Sequence, residues 1–415
     1  MLKNILVISI VFVGFQASAQ ETIKTMFYNL LEYPSASSVN RDQTLQSIID
    51  TYEPDIFMVC ELESQQGADL ILNVSLNDEG ANYTAFPFIE NTSGEADLQQ
   101  LLFYRSNMFT VETSEIIATD VRDINRYQLK LNTADGATDP VLLDFYVAHL
   151  KSSQGSSNEA QRLDMVTEFT NTLSNLDPNS FVFFAGDLNF YDAGEPGYIE
   201  LLDDTNAIRL VDPIDMPGDW NNNEAFQAIH TQSTRISSGG FGAGAGGGMD
   251  DRFDFILISE NMLTNPVMRY VPDTYKSYGN NGNCYNLDVR DPGCTGEFSQ
   301  ELRNNIYSMS DHLPVVMELE TNKQIILATE EFEVTEAVFQ LEKTIVSEAL
   351  ELTFAQTPDT AVTIEIYNTL GQKVLIETSQ NQTSVFINVS SLAEGVYYLK
   401  TNLNTTQTIK FLKIS

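Results

Sequence analysis

Short runs of apolar, β-branched and aromatic residues recur from the N-terminal part of the chain to about residue 320. They occupy residues 24–30, 56–60, 101–104, 141–150, 181–185, 253–258 and 314–319. Such runs are typical of buried β-strands. Helical spacing of apolar residues appears in residues 40–52 and 158–173. Because strands outnumber helices and several are consecutive, we expect an α+β fold in which helices cover a packed pair of sheets.

The composition changes after residue 320. Residues 322–335 are linker-like, and residues 336–415 contain short apolar runs at regular spacing. These runs occupy residues 362–367, 374–376, 385–389, 396–399 and 409–414. The spacing, with a turn at residues 370–373, predicts a small all-β sandwich. The module has no His or Cys, so we expect catalysis in residues 20–321.

The last fifth of the chain resembles the C-terminal sorting domain of the bacterial type IX secretion system. The matching segments are residues 364–373, 392–399 and 410–414. The resemblance implies handling by the type IX secretion machinery of a Bacteroidetes-type bacterium. It also implies a secreted or cell-surface location, with the module removed during export. A generic spacer or binding sandwich is the alternative interpretation.

The N-terminus has the pattern of an export signal. Lys3 precedes an almost wholly apolar run at residues 5–15, and Ala17-Ser18-Ala19 follows as a cleavage site. We therefore expect residues 1–19 to be a signal peptide. The apolar run is too short to span a hydrocarbon core of about 30 Å. No later run reaches about 20 apolar residues, so we expect no stable membrane insertion.

The chain is strongly acidic, with 22 Lys plus Arg against 58 Asp plus Glu and a formal net charge of −36. This balance excludes a protein that binds nucleic acid through a broad basic surface. An anionic substrate remains compatible if a metal supplies positive charge. Residues 331–415 carry 10 acidic residues and 5 lysines, so most of the acidity belongs to the first part of the chain.

Three cysteines are too few for a disulfide scaffold or a thiolate zinc site. Cys284 and Cys294 flank a stretch rich in Gly, Asn, Asp and Pro, and we expect them to form a disulfide. Unlinked thiols are the alternative. Cys60 lies in an apolar run, which predicts a buried structural thiol.

Polar residues stand at the ends of several predicted strands. Asn29 and Glu61 end two of them, and His149 ends a third. A carboxylate directly after a buried strand is costly unless it is exposed, paired or bound to a metal. Each residue alone also fits a solvated strand end or a structural histidine.

Two further strands carry polar pairs, and a third has an acid inside an apolar run. Asp187 and Asn189 follow one strand and would project to the same side if the chain stayed extended. An Asx turn with Gly186 as the breaker is the alternative there. Asp254 lies inside an apolar run, and Asp311-His312 precedes the last strand of this part. A carboxylate such as Asp254 would orient His312 for proton transfer.

Taken in order, these residues resemble the motifs of the endonuclease/exonuclease/phosphatase superfamily. That group includes deoxyribonuclease I and the neutral sphingomyelinases. The resemblance covers about residues 22–320 and implies a four-layer αββα sandwich. It also implies metal-assisted hydrolysis of a phosphoric ester, in which donors converge on the phosphoryl group.

The resemblance implies a metal site formed by Glu61, with Asn29 and Asp311 near it. Oxygen ligands favour Mg²⁺, with Mn²⁺ or Ca²⁺ as alternatives, over zinc.

The catalytic roles follow from the same resemblance. His312, oriented by Asp254, would activate the attacking water, and Asp187 would help to orient it. Asn189 would hold a phosphoryl oxygen, and His149 would donate to the phosphate.

Other residues have open assignments. Arg162 would either pack structurally or hold the site. Tyr104-Arg105 could contact a substrate phosphate. His230 would line the cleft or lie on a surface loop. The glycine-rich residues 236–248 lack the Lys-Ser/Thr of a P-loop, which favours a flexible loop over a phosphate cradle.

Three functions compete. The first is a secreted metal-dependent phosphodiesterase, a nuclease whose substrate is extracellular nucleic acid, with DNA as the expected form. The second is a phosphatase or phospholipase C-type hydrolase of lipid or inositol phosphates. The third is a secreted adhesion protein that has the fold without the chemistry. The sequence predicts neither the substrate nor the oligomeric state.

Overall fold

The computed structural model describes residues 21–36, 39–78, 80–94, 98–238, 241–327, 339–354, 357–358, 360–368 and 371–414. The proposed signal peptide lies outside the described residues, as does most of the proposed linker. The chain divides into two compact units between Ala328 and Thr329. No helix in the described part is both long and apolar enough to cross a membrane.

The first unit contains two β-sheets. Its strands are β1 (Glu21–Tyr33), β2 (Ile56–Leu62), β3 (Tyr83–Ala85), β4 (Gln99–Arg105), β5 (Phe109–Ile117), β6 (Ile124–Leu131), β7 (Val141–His149), β8 (Phe181–Asp187), β9 (Leu210–Val211), β10 (Asp254–Ser259), β11 (Arg269–Tyr270), β12 (Lys276–Ser277) and β13 (Val315–Thr321). The seven-stranded sheet has the order β11-β13-β1-β2-β4-β3, and β12 also pairs with β13. The six-stranded sheet has the order β5-β6-β7-β8-β10-β9.

Helices cover the outer faces of both sheets. They are α1 (Arg41–Tyr52), α2 (Gln65–Leu70), α3 (Ser156–Thr172), α4 (Pro196–Leu201) and α5 (Gln300–Met309), with a π-helical turn at Ile71–Leu76 and 3₁₀ turns at Leu173–Asn175, Glu224–Ile229 and Glu260–Leu263. Helices α1 and α5 pack against each other beside the seven-stranded sheet, and α3 and α4 pack beside the other.

Alternation along β7 and β8 separates two cores. Phe145 and Phe183 face the core between the sheets, where their rings stack with centroids 4.3 Å apart. Tyr146 and Phe184 point the opposite way and pack with Phe169 of α3. Successive side chains of a strand point to opposite faces, so both faces of this sheet are apolar. The predicted α+β fold with four layers, αββα, is confirmed.

Strand direction brings the candidate residues to one edge of the sheets. β1 pairs in parallel with β2, and β7 in parallel with β8, so their carboxyl ends lie together. β10 runs antiparallel to β8 and begins at this edge, and β13 begins there beside β1. The fold therefore places loops from both sheets around one cleft.

The second unit is all β. Its strands are β14 (Phe339–Leu341), β15 (Ile345–Val346), β16 (Ala349–Phe354), β17 (Val362–Asn368), β18 (Lys373–Ser379), β19 (Ser384–Asn388), β20 (Gly395–Thr401) and β21 (Asn404–Lys413). They form a three-stranded sheet, β14-β16-β19, and a five-stranded sheet, β15-β21-β20-β17-β18. Leu350 and Leu352 of one sheet share a buried core with Ile364, Ile366 and Leu399 of the other. This is the predicted small β-sandwich.

The cysteine predictions agree with the structure. Cys284 and Cys294 form a disulfide with their Cα atoms 5.3 Å apart. Cys60 is a free, fully buried thiol.

Candidate functional site

Three of the candidate side chains lie in one row across the six-stranded sheet. Asp187, at the end of β8, is paired in register with His149 of β7 on one side and Asp254 of β10 on the other. His149 Nε2 lies 3.5 Å from Asp187 Oδ2. All three side chains are buried. Two adjacent strand pairings therefore fix the spacing of an imidazole and two carboxylates.

His312 joins this row from the loop before β13. Its Nδ1 lies 2.8 Å from Asp254 Oδ2, and its Nε2 lies 3.7 Å from Asp187 Oδ2. The predicted orientation of His312 by Asp254 therefore has direct geometric support. The hydroxyl of Ser310 accepts a hydrogen bond from the His312 backbone N–H and donates to the Asn29 carbonyl.

Asn29 connects the two sheets at the cleft. Its Nδ2 donates to Glu61 Oε1 at 2.9 Å and to Asp187 Oδ2 at 3.0 Å. The other Glu61 oxygen accepts from the Glu32 backbone N–H at 3.0 Å. One amide thus holds the carboxylates of β2 and β8 close together.

Asp311 reaches the same cleft and is held by two donors. Its Oδ2 accepts from Gln232 Nε2 at 3.1 Å and from the Ala245 backbone N–H at 2.6 Å. Its Oδ1 is buried and has no hydrogen-bond partner among the described residues. Gln232 Nε2 also lies 2.6 Å from His312 Nε2. Sequence reasoning missed Gln232, which stands in no apolar run and belongs to no motif quoted above.

Asn189 lies beside Asp187 as expected, but its backbone conformation differs from the predicted one. The prediction assumed an extended chain, whereas Asn189 has a left-handed backbone with φ of 53°. Its Nδ2 still turns back to Asp187 Oδ1 at 2.8 Å. Gly186 is not a turn residue, because it lies within β8, where a Cβ would meet the Ala148 carbonyl oxygen at 2.2 Å.

Burial and mutual repulsion raise the pKa values of two carboxylates, Asp187 and Glu61. Burial raises the pKa of Asp187 to about 7, and the charges of Asp254 and Glu61 add to the shift. Burial also raises the pKa of Glu61, with the charge of Asp311 acting in the same direction. Burial disfavours the charged form of an acid, and like charges do the same.

The two histidines shift in opposite directions. Burial lowers the pKa of His149 well below its usual value, and the positive charge of Arg122 lowers it further. Burial would also lower the pKa of His312, but Asp254, Asp187 and Asp311 raise it well above the usual value. Neutralising these carboxylates would remove the cause of the His312 shift.

The donor set fits a hard divalent cation. Glu61, His149 and Asp187 each offer one ligand atom, and these atoms lie within 4.8 Å of one another. Asp187, Asp254 and His312 form a second such group. Asp254 Oδ1, like Asp311 Oδ1, is buried without a hydrogen-bond partner in the described part of the chain. Buried carboxylates are stable when they are paired or coordinate a metal, and carboxylate oxygens are ligands of Mg²⁺, Mn²⁺ and Ca²⁺.

A cavity of about 400 Å³ is lined by most of these side chains, namely Glu61, His149, Asp187, Asn189, Gln232, Asp311 and His312. Its lining also includes Leu31, Leu98, Tyr191 and Phe253. A concave pocket with a few convergent polar groups and shifted pKa values is typical of an active site.

Arg122 also lines the cavity and was missed by sequence reasoning. Its Nη1 donates to the carbonyls of His149 and Leu150 at 3.1 and 2.9 Å. It stands in a loop before β6, not at the end of an apolar run. In a chain with 22 Lys plus Arg, the scarcity of cations was the signal that could have drawn attention to it.

Two other arginines have structural partners. Arg162 is fully buried, bonds Glu195 Oε2 through Nε at 2.8 Å, and donates to the carbonyls of Lys151 and Ser153. It packs structurally and also fixes the loop beside the cleft. Arg105 forms a salt bridge with Asp55 before β2. It lies at the end of the sheet opposite Glu61, so the proposed phosphate contact of Tyr104-Arg105 is wrong.

His230 is neither on the surface nor in the cleft wall. It is fully buried, and its two ring nitrogens lie 3.2 Å from the Met249 carbonyl and 3.0 Å from the Trp220 carbonyl. Both predicted placements of His230 are therefore wrong, because it is a structural residue.

The glycine-rich segment contributes to the site. Gly244 and Ala245 line the cavity, and Ala245 binds Asp311 as described above. Residues 239–240 of this segment lie outside the described part. The sequence predicted a flexible loop beside the following strand, but it did not predict that this loop would bond the Asp311 carboxylate.

Comparison with known protein families identifies the second unit. The family model of the secretion system C-terminal sorting domain matches residues 346–415. The C-terminal module is a type IX sorting domain. It indicates secretion through the type IX system to the cell surface or the extracellular space. A search of curated proteins finds no match.

Several solved structures are similar to the first unit at low identity. Humanized D. rerio TDP2 shares 16% identity with a TM-score of 0.45, covering 72% of this chain and 99% of that one. The human Nocturnin catalytic domain shares 15% with a TM-score of 0.42, covering 72% and 97%. An endonuclease/exonuclease/phosphatase family protein from Leptotrichia buccalis shares 12% with a TM-score of 0.42, covering 71% and 98%. At this similarity none of them identifies a substrate for this chain.

Proposed function

We propose that the chain is a secreted, metal-dependent phosphodiesterase that hydrolyses extracellular nucleic acid. The observation that carries the proposal is the convergence of His149, Asp187 and His312 in one cavity, with the fully buried Asp254 bonded to His312 behind them. The 2.8 Å contact from His312 Nδ1 to Asp254 leaves His312 Nε2 at the cavity, 3.7 Å from Asp187 Oδ2 and 2.6 Å from the Gln232 amide nitrogen. A histidine fixed by a buried carboxylate is suited to general acid–base catalysis.

The proposed reaction is hydrolysis of a P–O ester bond. His312 Nε2 accepts a proton from water, and the water oxygen forms a new bond to phosphorus. The ester bond to the leaving oxygen breaks, that oxygen takes a proton from solvent water, and His312 releases its proton to solvent. Neutral His149 donates an N–H to the phosphoryl group, and Asn189 donates from its amide.

The proposed metal site consists of Glu61, with Asn29 and Asp311 near it and Asp187 within reach. A divalent cation bound there would neutralise charge on the phosphoryl oxygens. We propose Mg²⁺ as the native ion, with Mn²⁺ or Ca²⁺ as alternatives, because the ligands are mainly carboxylate and amide oxygens.

The test is a substrate panel with purified protein, with and without chelator. Substrates are plasmid DNA, RNA, sphingomyelin, inositol phosphates and bis-nitrophenyl phosphate. We expect hydrolysis of nucleic acid, loss of activity with chelator, and recovery with Mg²⁺. Replacing His312 with Ala should reduce activity by several orders of magnitude while the melting temperature changes little. Full activity in chelator, or in the folded His312→Ala protein, would overturn the proposal.

A further inference from the structure

Most cations on the surface of the first unit are bonded to carboxylates. Arg209 pairs with Glu260 at 2.6 Å, and Lys276 pairs with Glu297 at 2.6 Å. Lys323 lies between two aspartates. A cation whose charge is already balanced adds little to the field that would attract a polyanion.

Among the described residues of the first unit, a few cations lack a carboxylate within salt-bridge distance. They are Lys24, Arg41, Arg122, Lys151, Arg235 and Arg303. Three of these, Arg41, Arg235 and Arg303, are buried and donate to backbone carbonyls. Lys24 donates to the Tyr52 carbonyl near the start of β1, five residues before Asn29 and away from the cleft.

The remaining two cations are both at the cleft. Arg122 lines the cavity, and its Nη1 is held by the carbonyls of His149 and Leu150. Lys151 follows these residues directly, and its Nζ donates to the carbonyl of Ser152, which also lines the cavity. These two cations therefore lie beside the carboxyl end of β7: Arg122 lines the cavity, and Lys151 is bonded to Ser152 of its wall.

We propose that this cleft engages a single phosphoryl group, so that its preferred substrates are small phosphodiesters with neutral groups on both sides. The inference rests on the proposed function and narrows its substrate class. A cavity of about 400 Å³ has the size of a small-molecule site. Binding along a duplex would need a row of lysines and arginines matched to successive phosphates, and the surface cations that could form one are bonded to acids.

Salt dependence distinguishes one phosphate contact from many. We would measure kcat/KM for a thymidine dinucleotide, a 20-nucleotide single strand and a linear duplex from about 50 to 500 mM KCl at fixed Mg²⁺. The slope of log(kcat/KM) against log salt should lie between 0 and about −1 for every substrate, because each phosphate contact contributes about −0.7 to −0.9. The dinucleotide should be hydrolysed at least as efficiently per phosphate as the duplex.

The matched variants are Lys151→Met and Lys276→Met. Lys151→Met should lower kcat/KM for the dinucleotide by about 5- to 20-fold and bring its salt slope closer to zero. Lys276→Met, which removes a cation already bonded to Glu297, should leave both values unchanged. Equal effects of the two variants would overturn the inference.

The same phosphodiester chemistry occurs in lipid headgroups, so hydrolysis of sphingomyelin vesicles is measured as a separate experiment. Faster hydrolysis of the vesicles than of the dinucleotide would support the one-phosphate cleft but overturn nucleic acid as the substrate in the proposed function, in favour of a lipid. A duplex slope of about −5 or steeper, with preference for the duplex, would overturn this inference and leave the proposed function intact. Absence of metal-dependent hydrolysis of any substrate would instead overturn the proposed function.

Discussion

The contact between His312 and Asp254 is the residue-level feature most sensitive to a small chemical change. Asp254 is fully buried, and one of its oxygens bonds the imidazole while the other has no partner among the described residues. Replacing Asp254 with Asn keeps the shape but removes the charge that orients the ring and stabilises its protonated form. We expect kcat to fall by roughly 100- to 10,000-fold, measured by steady-state hydrolysis of bis-nitrophenyl phosphate.

The folded state of the Asp254→Asn variant should be less stable than the parent, because the substitution removes one partner of a buried ion pair with His312. Thermal unfolding followed by circular dichroism provides this control. A parent-like kcat in the folded variant would show that the carboxylate does not assist His312.

Asp251 offers a pH-dependent test of stability at the rim of the site. Burial raises its pKa to about 6 in the folded protein, against about 3.9 in the unfolded chain. The folded state therefore holds this proton more tightly. Below about pH 4 the group is neutral in both states and carries no penalty. The penalty grows between about pH 4 and 6 and reaches about 3 kcal/mol above that range.

Replacing Asp251 with Asn should remove that penalty while keeping an oxygen that accepts from Asn221 Nδ2. We expect a higher melting temperature than the parent at about pH 7–8 and an equal one at about pH 4, measured by calorimetry across this range. Asp203→Asn is the control, because hydrogen bonds from Thr205 lower the pKa of Asp203. A gain of the same size at every pH would contradict the assignment to ionisation.

The residues of the candidate site fall into two groups, those that the sequence pattern indicates and those that it does not. Those that follow apolar strands, such as Glu61, His149 and Asp187, could be found because a polar residue there breaks a clear pattern. Gln232 and Arg122 follow no such strand, and their positions are set by contacts with His312 and His149, which are distant from them in sequence. The placement of His230 was wrong for the same reason, because its partners, the carbonyls of Met249 and Trp220, are distant in sequence.

At the level of elements, strand prediction succeeded where both faces of a strand are apolar. Residues 141–149 and 181–187 form β7 and β8 close to the expected bounds. β5 was missed because most of its side chains are exposed or half-buried, which breaks the apolar run. Helix α5 was missed although it follows a capping serine, Ser299, which accepts from the Leu302 backbone N–H.

The glycine-rich loop is the element whose function the sequence disclosed least. Gly244 has a φ of +85°, and a Cβ there would lie 2.9 Å from Asp311 Cγ. Gly244→Ala should therefore displace the loop from Asp311 and weaken the metal site. We expect a fall of about 10- to 100-fold in kcat/KM, which misplacements of about 1 Å can produce, and a higher Mg²⁺ concentration at half-maximal activity.

Gly247→Ala is the matched control for the loop. Gly247 also has a positive φ, +128°, but a Cβ would meet nothing closer than Asp250 Oδ1 at 3.9 Å among the described residues. Both substitutions therefore place a Cβ on a residue with positive φ, and only the one at Gly244 collides with the carboxylate. Equal losses of activity in the two proteins would assign the effect to strain in the loop and not to Asp311.

For the whole molecule, the two units have separate hydrophobic cores. The cores of the first unit lie around its two sheets, and the second unit is built on Phe339, Ile364, Leu399 and their neighbours. Because each core is complete within its own unit, we propose that residues 20–321 hold the whole catalytic domain. The sorting domain would then contribute to export and not to the chemistry.

Ending the chain after Ala328 tests this division. The shortened protein lacks the sorting domain. It should unfold at the same temperature as the first unit does within the full chain. Its kcat/KM should stay within about twofold, because the described site residues all precede residue 313. In a host with type IX secretion it should no longer reach the cell surface or medium, as followed by fractionation and immunoblotting. A large fall in melting temperature would mean that the second unit stabilises the first, and undiminished export would mean that residues 346–415 are not the sorting signal of this chain.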